Sequence, residues 1–509
     1  MPDNLSLNKR IAKNTLLLYF RSILLILINL YTSRVILQSL GVSDYGIYNV
    51  VGGVVTMFTM ISSSMSAASQ RFITYALGEG DFERLKKIVS TSMTLHFIIG
   101  VLVVLLIEIF GVWFLYAKLN IPAERLNAAF WVLQLSIATL FVNIISVPYN
   151  SVIIAHEKMS AFAYISIFES VLKLLIAFAL LWSPIDRLIL YSTLMFLTAL
   201  LIRIIYTVYC QHKFEESKKV RLGIEHGLFK EMFSFAGWNL FGSGSLLLRN
   251  QGVDILLNLF FGVTVNAAKG ICNQVQSAVY QFVSNFQTAV NPQLTMSVAQ
   301  NDFDRTHSLI SKGGRFSFYM LSLFAVPLIV ATPEVLSVWL VEVPEYTVIF
   351  IRWTLIYLLL DSLSRFLITA VLAYGKIKIY QIVVGGTKLL TLPLVYVWLL
   401  LGGSPITGIL ANIIIEFACL CQRLYFNSLY NGLSWHSYIF KTVLPCWAIF
   451  VLAIVPSYLI RLYFSTNIFM LIISSLLITS IVIGLLGLKK SERQMVLAKA
   501  TSMINKHRK

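Results

Sequence analysis

The chain has 509 residues, 58% of them hydrophobic and only 12% charged, with a net charge of +17. A soluble chain of this length carries about 25% charged residues, so a soluble multidomain enzyme is excluded. The apolar runs are continuous rather than alternating, which argues against a β-barrel and leaves an all-α polytopic membrane protein.

In chain order, the predicted membrane helices are 14–38, 46–75, 88–115, 128–154, 161–182, 188–210, 236–261, 266–298, 313–331, 347–372, 379–401, 406–428, 442–463 and 467–487. That is about fourteen transmembrane helices, each long enough for a hydrocarbon core that takes about 20 residues. Turn chemistry separates them at Gly41–Asp44, Gly78–Asp81, Ser183–Asp186 and Gly402–Pro405. The N-terminus is polar through Lys13 with no small-residue cleavage site, so the first apolar run is expected to be a retained helix, not a signal peptide. The longest polar stretch, His212 to Lys230, is read as a linker.

With the N-terminus placed in the cytoplasm, most of the 40 basic residues fall on inside segments, among them Lys218, Lys219, Arg221 and the tail Lys489 to Lys509. Five fall outside: Lys118, Arg125, Arg187, Lys269 and Arg461. The positive-inside rule then puts both termini in the cytoplasm, and it accounts for the net charge without nucleic acid.

An internal repeat is present. Shifted by 221 residues, Gly41-Val42-Ser43 falls on Gly262-Val263-Thr264, and Asp81-Phe82-Glu83-Arg84 on Asp302-Phe303-Asp304-Arg305. Further on, small changes in loop length alter the shift, and Ala155-His156-Glu157-Lys158 matches Ala373-Tyr374-Gly375-Lys376, and Lys173-Leu174-Leu175 matches Lys388-Leu389-Leu390. Helices 1–6 and 7–12 are therefore two copies of one unit. An even number of helices per copy makes them parallel six-helix lobes. The expected organisation is an N-terminal lobe at 1–210, a linker at 211–235, a C-terminal lobe at 236–430, and two extra helices with a basic tail at 431–509.

Two lobes describe a secondary transporter that alternates access by rocking. No GxxxxGK[ST], HExxH or GxSxG motif is present, so neither nucleotide hydrolysis nor other enzyme chemistry is expected, and no cofactor or metal. The five cysteines contain no CxxC and read as packing residues; the histidines read as structural or exposed.

Charges inside the apolar runs carry the functional signal, since each costs about 2.5–3.5 kcal/mol at the bilayer centre on insertion scales. The basic ones are Arg21, Arg34, Arg71, Lys173, Arg203, Arg249, Arg315, Arg352, Arg365 and Lys388. The acidic ones are Glu108, Glu169, Asp254, Asp361 and Glu416. A cavity with this excess of cations attracts anions. Arg203, Arg315 and Arg352 lie near helix ends and can reach the headgroups. Glu169–Lys173 and Asp361–Arg365 have the i,i+4 spacing at which a pair can neutralise itself. Lys173 and Lys388 are repeat mates, and Lys388 has glycines where a carboxylate partner would help. Arg249 sits mid-helix beside Asn250 and Gln251, too deep to snorkel. The candidate substrate-binding residues are Arg34, Arg71, Lys173, Arg249, Arg365 and Lys388. Arginine suits phosphate because its planar fork gives paired charged hydrogen bonds.

Leu40-Gly41-Val42-Ser43-Asp44-Tyr45-Gly46, Ser69-Gln70-Arg71-Phe72, Leu77-Gly78-Glu79-Gly80-Asp81 and Asn291-Pro292-Gln293, with the two Ala-x-x-Lys turns, resemble the polysaccharide-transport branch of the multidrug/oligosaccharidyl-lipid/polysaccharide exporter superfamily. The resemblance runs over essentially the whole chain. It implies an O-antigen or capsule-repeat flippase of the bacterial inner membrane. Its substrate would be an undecaprenyl-diphosphate-linked glycan, and its partners membrane lipids and a polysaccharide polymerase, with no nucleic acid. The alternative is a cation-coupled multidrug exporter of the same superfamily, which the excess of buried cations disfavours. A membrane scaffold without transport activity is the third possibility.

Overall fold

The computed structural model describes residues 4–56, 58–117, 121–218, 223, 225–261, 263–340, 343–463, 467–489 and 492–494. The described elements are helical throughout. The first half of the chain holds α1 (Asn4–Thr56), α2 (Thr59–Glu79), α3 (Phe82–Ala117), α4 (Leu126–Ala155), α5 (Met159–Leu181) and α6 (Arg187–Lys213). The second half holds α7 (His226–Phe261), α8 (Val263–Ala299), α9 (Phe303–Val330), α10 (Thr332–Trp339), α11 (Thr347–Tyr374), α12 (Ile377–Leu389), α13 (Thr391–Leu400) and α14 (Thr407–Asn431). Then come α15 (Trp435–Tyr438), α16 (Leu444–Tyr463) and α17 (Ile468–Val482).

Ten of the described helical stretches are long and apolar enough to cross a membrane. On α3 the large apolar side chains of Leu102, Leu105, Ile109, Phe110 and Trp113 are all more than half exposed, a surface suited to lipid. The long helices α7 and α8 are not among the ten. Their polar residues must face protein or water, because hydrocarbon offers nothing to bond.

The repeat is visible in the helix boundaries. α3 begins at Phe82 and α9 at Phe303, while α4 begins at Leu126 and α11 at Thr347, and both steps equal the shift read from the sequence. Left-handed residues recur at matched positions: Gly80 (φ 76) with Asn301 (φ 53), and Glu157 (φ 54) with Gly375 (φ 83) in the paired Ala-x-x-Lys turns.

Three boundaries differ from expectation. The turn at Gly41 is a one-residue kink inside α1, with φ 77 and ψ 168, a backbone region essentially reserved for glycine. The predicted helix 46–75 is two segments, the end of α1 and α2. The predicted helix 379–401 is also two, parted at Leu390. Pro393 explains the second break, because its ring meets the carbonyl of residue 389, where α12 ends.

The chain forms two compact units whose segments interleave. The first comprises Met1–Gly244, Thr288–Asp302 and Leu372–Gln381; the second, Ser245–Gln287, Phe303–Val371 and Ile382–Lys509. The core of the first is built on α2, whose Met65, Phe72 and Ile73 pack with Leu85 and Ile88 of α3 and Val152 and Ile153 of α4. The small-residue run in α2 serves close packing: Ser69 is fully buried and its hydroxyl lies 2.7 Å from that of Ser92. Arg125 pins the kink of α1 to the start of α6, pairing with Asp44 and, at 2.5 Å, with Asp186. In the second unit, α16 and α17 pack on α9.

Candidate functional site

In the second unit, three helices present charged faces. Tyr357, Asp361 and Arg365 recur at i, i+4 and i+8 on α11, and so share one face. Glu416 and Arg423 are seven residues apart on α14, which again is one face. Lys388 stands in the last turn of α12, just before the break at Leu390. A hydrogen bond of 2.8 Å from Gln422 to Thr387 ties that turn to α14.

Arg249 of α7 is 2% exposed. Its guanidinium donates to the Tyr357 hydroxyl at 3.1 Å and to the Asn250 side-chain carbonyl at 3.1 and 3.3 Å. It lies 5.7 Å from the centroid of the Tyr357 ring. Its Nη1 is buried without a hydrogen-bond partner, and among the described residues no carboxylate pairs with it. Asp361 and Glu416 act on it only through space.

Arg365 pairs with Asp361, Nε to Oδ2 at 2.7 Å, and its guanidinium covers the Tyr280 ring at 4.7 Å. Arg423 pairs with Glu416, and both are essentially unexposed. Lys388 has no ion pair among the described residues; it feels Arg423, Glu416 and Arg249 through space. Among the described residues, the second unit thus gathers Arg249, Arg365, Lys388 and Arg423 around the two carboxylates Asp361 and Glu416. An ion pair carries no net charge, so the surplus is Arg249 and Lys388. In a low-dielectric setting that surplus draws an anion, and the unpaired Nη1 has a hydrogen bond left to give.

The other sequence candidates are placed elsewhere. Lys173 is in the first unit, paired with Glu169 at 2.6 Å, each side chain about a third exposed. Arg71, also in the first unit, donates to the Ala373 carbonyl from Nε at 3.2 Å and Nη2 at 3.0 Å. It is flanked by the rings of Phe72, Tyr75 and Phe235. The side chain of Arg34 lies outside the described residues.

Sequence reasoning missed Arg423, although it lies inside the predicted helix 406–428. The signal was available, since Glu416 seven residues earlier lies on the same helix face. Tyr357 was missed as well. The signal there is the four-residue step to Asp361.

Comparisons with known proteins bear on the fold. The family model MatE matches residues 18–179. No curated protein matches the chain. Among solved structures, an outward-facing multidrug resistance MATE family transporter of the MOP superfamily is similar with a TM-score of 0.72 at 10% identity, over 84% of this chain and 97% of that one. A MOP superfamily transporter from Pyrococcus furiosus, described as having a binding pocket of reversed polarity, matches with a TM-score of 0.69 at 11% identity, over 83% and 96%. A Vibrio cholerae MATE transporter mutant gives 0.69 at 17% identity, over 84% and 98%. The chain has the fold of these transporters.

Proposed function

We propose that the chain is a transporter that moves an amphiphile with an anionic, phosphate-bearing head across a bacterial inner membrane. Its cargo is a polyprenyl-diphosphate-linked oligosaccharide bound for O-antigen, capsule or exopolysaccharide synthesis. The observation that carries this reading is the surplus of cations in the second unit, where the buried Arg249 and the half-buried Lys388 have no carboxylate partner among the described residues.

A diphosphate cannot enter hydrocarbon alone, because its charges would lose their hydration. Arg249 and Lys388 replace that hydration with charged hydrogen bonds. The pairs Asp361–Arg365 and Glu416–Arg423 hold the helix faces and moderate the field. Moderation matters, since a site that binds too tightly does not release. The asymmetry of basic residues supports a cytoplasmic position for both termini, and export toward the periplasm is then the productive direction.

The second reading is a cation-coupled multidrug exporter, supported by the multidrug transporter among the structures that share the fold. The two separate in proteoliposomes. A fluorescent lipid diphosphate glycoside should flip with the intact protein and lose most of its flipping with Arg249→Ala. Arg249→Lys should keep part, because the charge survives and the fork does not. Export of a cationic dye without lipid flipping would establish the exporter instead.

A further inference from the structure

The first unit holds a cavity of about 370 Å³, within the range of small-molecule sites. Four helices build it. α4 contributes Ser136, Thr139, Leu140 and Asn143, at i, i+3, i+4 and i+7, so a single face of that helix lines the space. Tyr48 comes from the part of α1 after the kink, Thr59 from α2 and Ser192 from α6.

The lining contains no Asp, Glu, Lys or Arg. Its polar atoms are hydroxyls and one carboxamide. Thr139 spends its hydroxyl proton on the Leu135 carbonyl at 2.7 Å, and Ser192 its own on Leu188 at 3.1 Å, which leaves both oxygens able to accept. Ser136 and Asn143 have no hydrogen-bond partner among the described residues, and Asn143 is exposed. A carboxamide offers two donors and two acceptor sites at once. Gly52, also in the wall, has nothing within 4 Å of where a Cβ would stand. The Tyr48 ring is held edge-on to Tyr191, centroids 4.7 Å apart.

This lining selects by chemistry. An anion would call for Arg or Lys, as in the second unit, and a cation for a carboxylate. The Ser136 hydroxyl, the Asn143 carboxamide and the accepting oxygens of Thr139 and Ser192, beside apolar walls, suit a neutral ligand rich in hydroxyls, whose ring also has C–H faces. We infer that this cavity binds a neutral sugar of the transported glycan, separately from the anion site. The inference rests on the flippase reading and deepens it: the head group's phosphates and its sugars are recognised by different units.

The test uses the full-length protein in detergent, titrated with methyl glycosides of neutral hexoses and N-acetylhexosamines and followed by saturation-transfer NMR. Thr139→Val is isosteric and removes only the hydroxyl; Asn143→Leu removes the carboxamide. Each should weaken glycoside binding at least about tenfold with the thermal midpoint retained, while Leu401→Ala, at an exposed apolar position, should not. Glycoside binding unchanged in both pocket variants, or absent from the intact protein, overturns the inference. Inorganic diphosphate titrated into the same samples reads the cationic cluster independently. Glycoside binding that depends on the pocket, without any diphosphate binding, leaves the sugar site standing and removes the flippase reading. Diphosphate binding without glycoside binding does the reverse.

Discussion

The Arg71 guanidinium on α2 donates two hydrogen bonds to the backbone carbonyl of Ala373, a residue 302 positions further along the chain. The relationship is reciprocated. Ala373 opens the turn that matches Ala155–Lys158, and in that earlier turn Glu157 accepts a hydrogen bond of 3.3 Å from Gln293 on α8. The second helix of each repeat therefore reaches the turn of the other repeat, and all four residues belong to the first unit. Gly375 makes the arrangement possible. Its φ is +83, and the space a Cβ would take is filled by the Arg71 guanidinium.

Gly375→Ala should therefore destabilise twice, by about 1–2 kcal/mol for the left-handed backbone and by displacing Arg71. Thermal unfolding in detergent checks the sum. Arg71→Met should cost much less in the Gly375→Ala background than alone, because the same contact is already broken. Additive losses in a double-mutant cycle would refute the coupling.

The ends of α2 and α8 meet at Gly78. A Cβ there would stand 2.9 Å from the Ala299 Cβ and 2.9 Å from the Met296 Cα, and Gln300 donates to the Gly78 carbonyl at 3.1 Å. A methyl group there must push the two helix ends apart. Gly78→Ala should therefore lower the thermal unfolding midpoint in detergent clearly more than Gly244→Ala, where nothing stands within 4 Å of the added Cβ. Equal midpoints for the two variants would show that the close approach at Gly78 contributes nothing.

At the start of α6, Asp186 accepts from the amides of Leu188 and Ile189 at 3.0 and 3.2 Å and pairs with Arg125. Partial burial works against its ionisation, but Arg125 and the two amides outweigh it and hold the carboxyl below its usual range. A depressed carboxylate stabilises the fold above the unfolded-state value of about 3.9 and loses that contribution as pH falls through the folded value. Thermal midpoints should therefore fall less on acidification, from about pH 5 to pH 3, in Asp186→Asn than in the parent, and the variant should be less stable at neutral pH. Parallel acid profiles would dismiss the role.

The repeat was legible because helix starts are set locally. Asp81 and Asp302 precede Phe82 and Phe303 in matching tetrads, and α3 and α9 begin at those two phenylalanines. The candidate cluster was half legible: charges in apolar runs stand out, so Arg249, Arg365 and Lys388 could be named. That they share a unit while Arg71 and Lys173 belong to the other is a matter of tertiary packing. Arg71 shows why. Its hydrogen bonds go to a backbone carbonyl, which no side-chain pattern marks, and the carboxylate it meets, Glu231 at 4.0 Å, is on another helix. At Gly41 the sequence is compatible with a turn or a kink because glycine permits both, and the choice depends on whether the helix resumes. The break at Leu390 was readable from Pro393, but the apolar run on either side hid it.

Arg423 and Glu416 form a buried pair in α14. Removing one partner strands the other, at a cost of about 3–5 kcal/mol, whereas replacing both with apolar residues of similar volume is often neutral. Glu416→Leu alone should lower the unfolding midpoint sharply, and Glu416→Leu/Arg423→Met should recover most of it. A double variant no more stable than the single would mean that other groups depend on Arg423.

The repeat mates Lys173 and Lys388 offer a comparison in which position is equivalent and pairing differs. Lys173 spends its charge on Glu169 at 2.6 Å in a partly exposed pair; a pair of that kind is worth at most about 1 kcal/mol. Lys388 has no carboxylate in contact among the described residues and stands among cations, so it costs energy where it is. A charge kept at such a cost is best explained by a ligand that neutralises it. Lys388→Gln should leave the thermal midpoint unchanged or raise it, and should reduce flipping of a lipid diphosphate at least tenfold. Lys173→Gln should change flipping far less. Equal transport defects in the two would locate the requirement in the shared position, and undiminished flipping in Lys388→Gln would leave Arg249 as the cation that holds the phosphates.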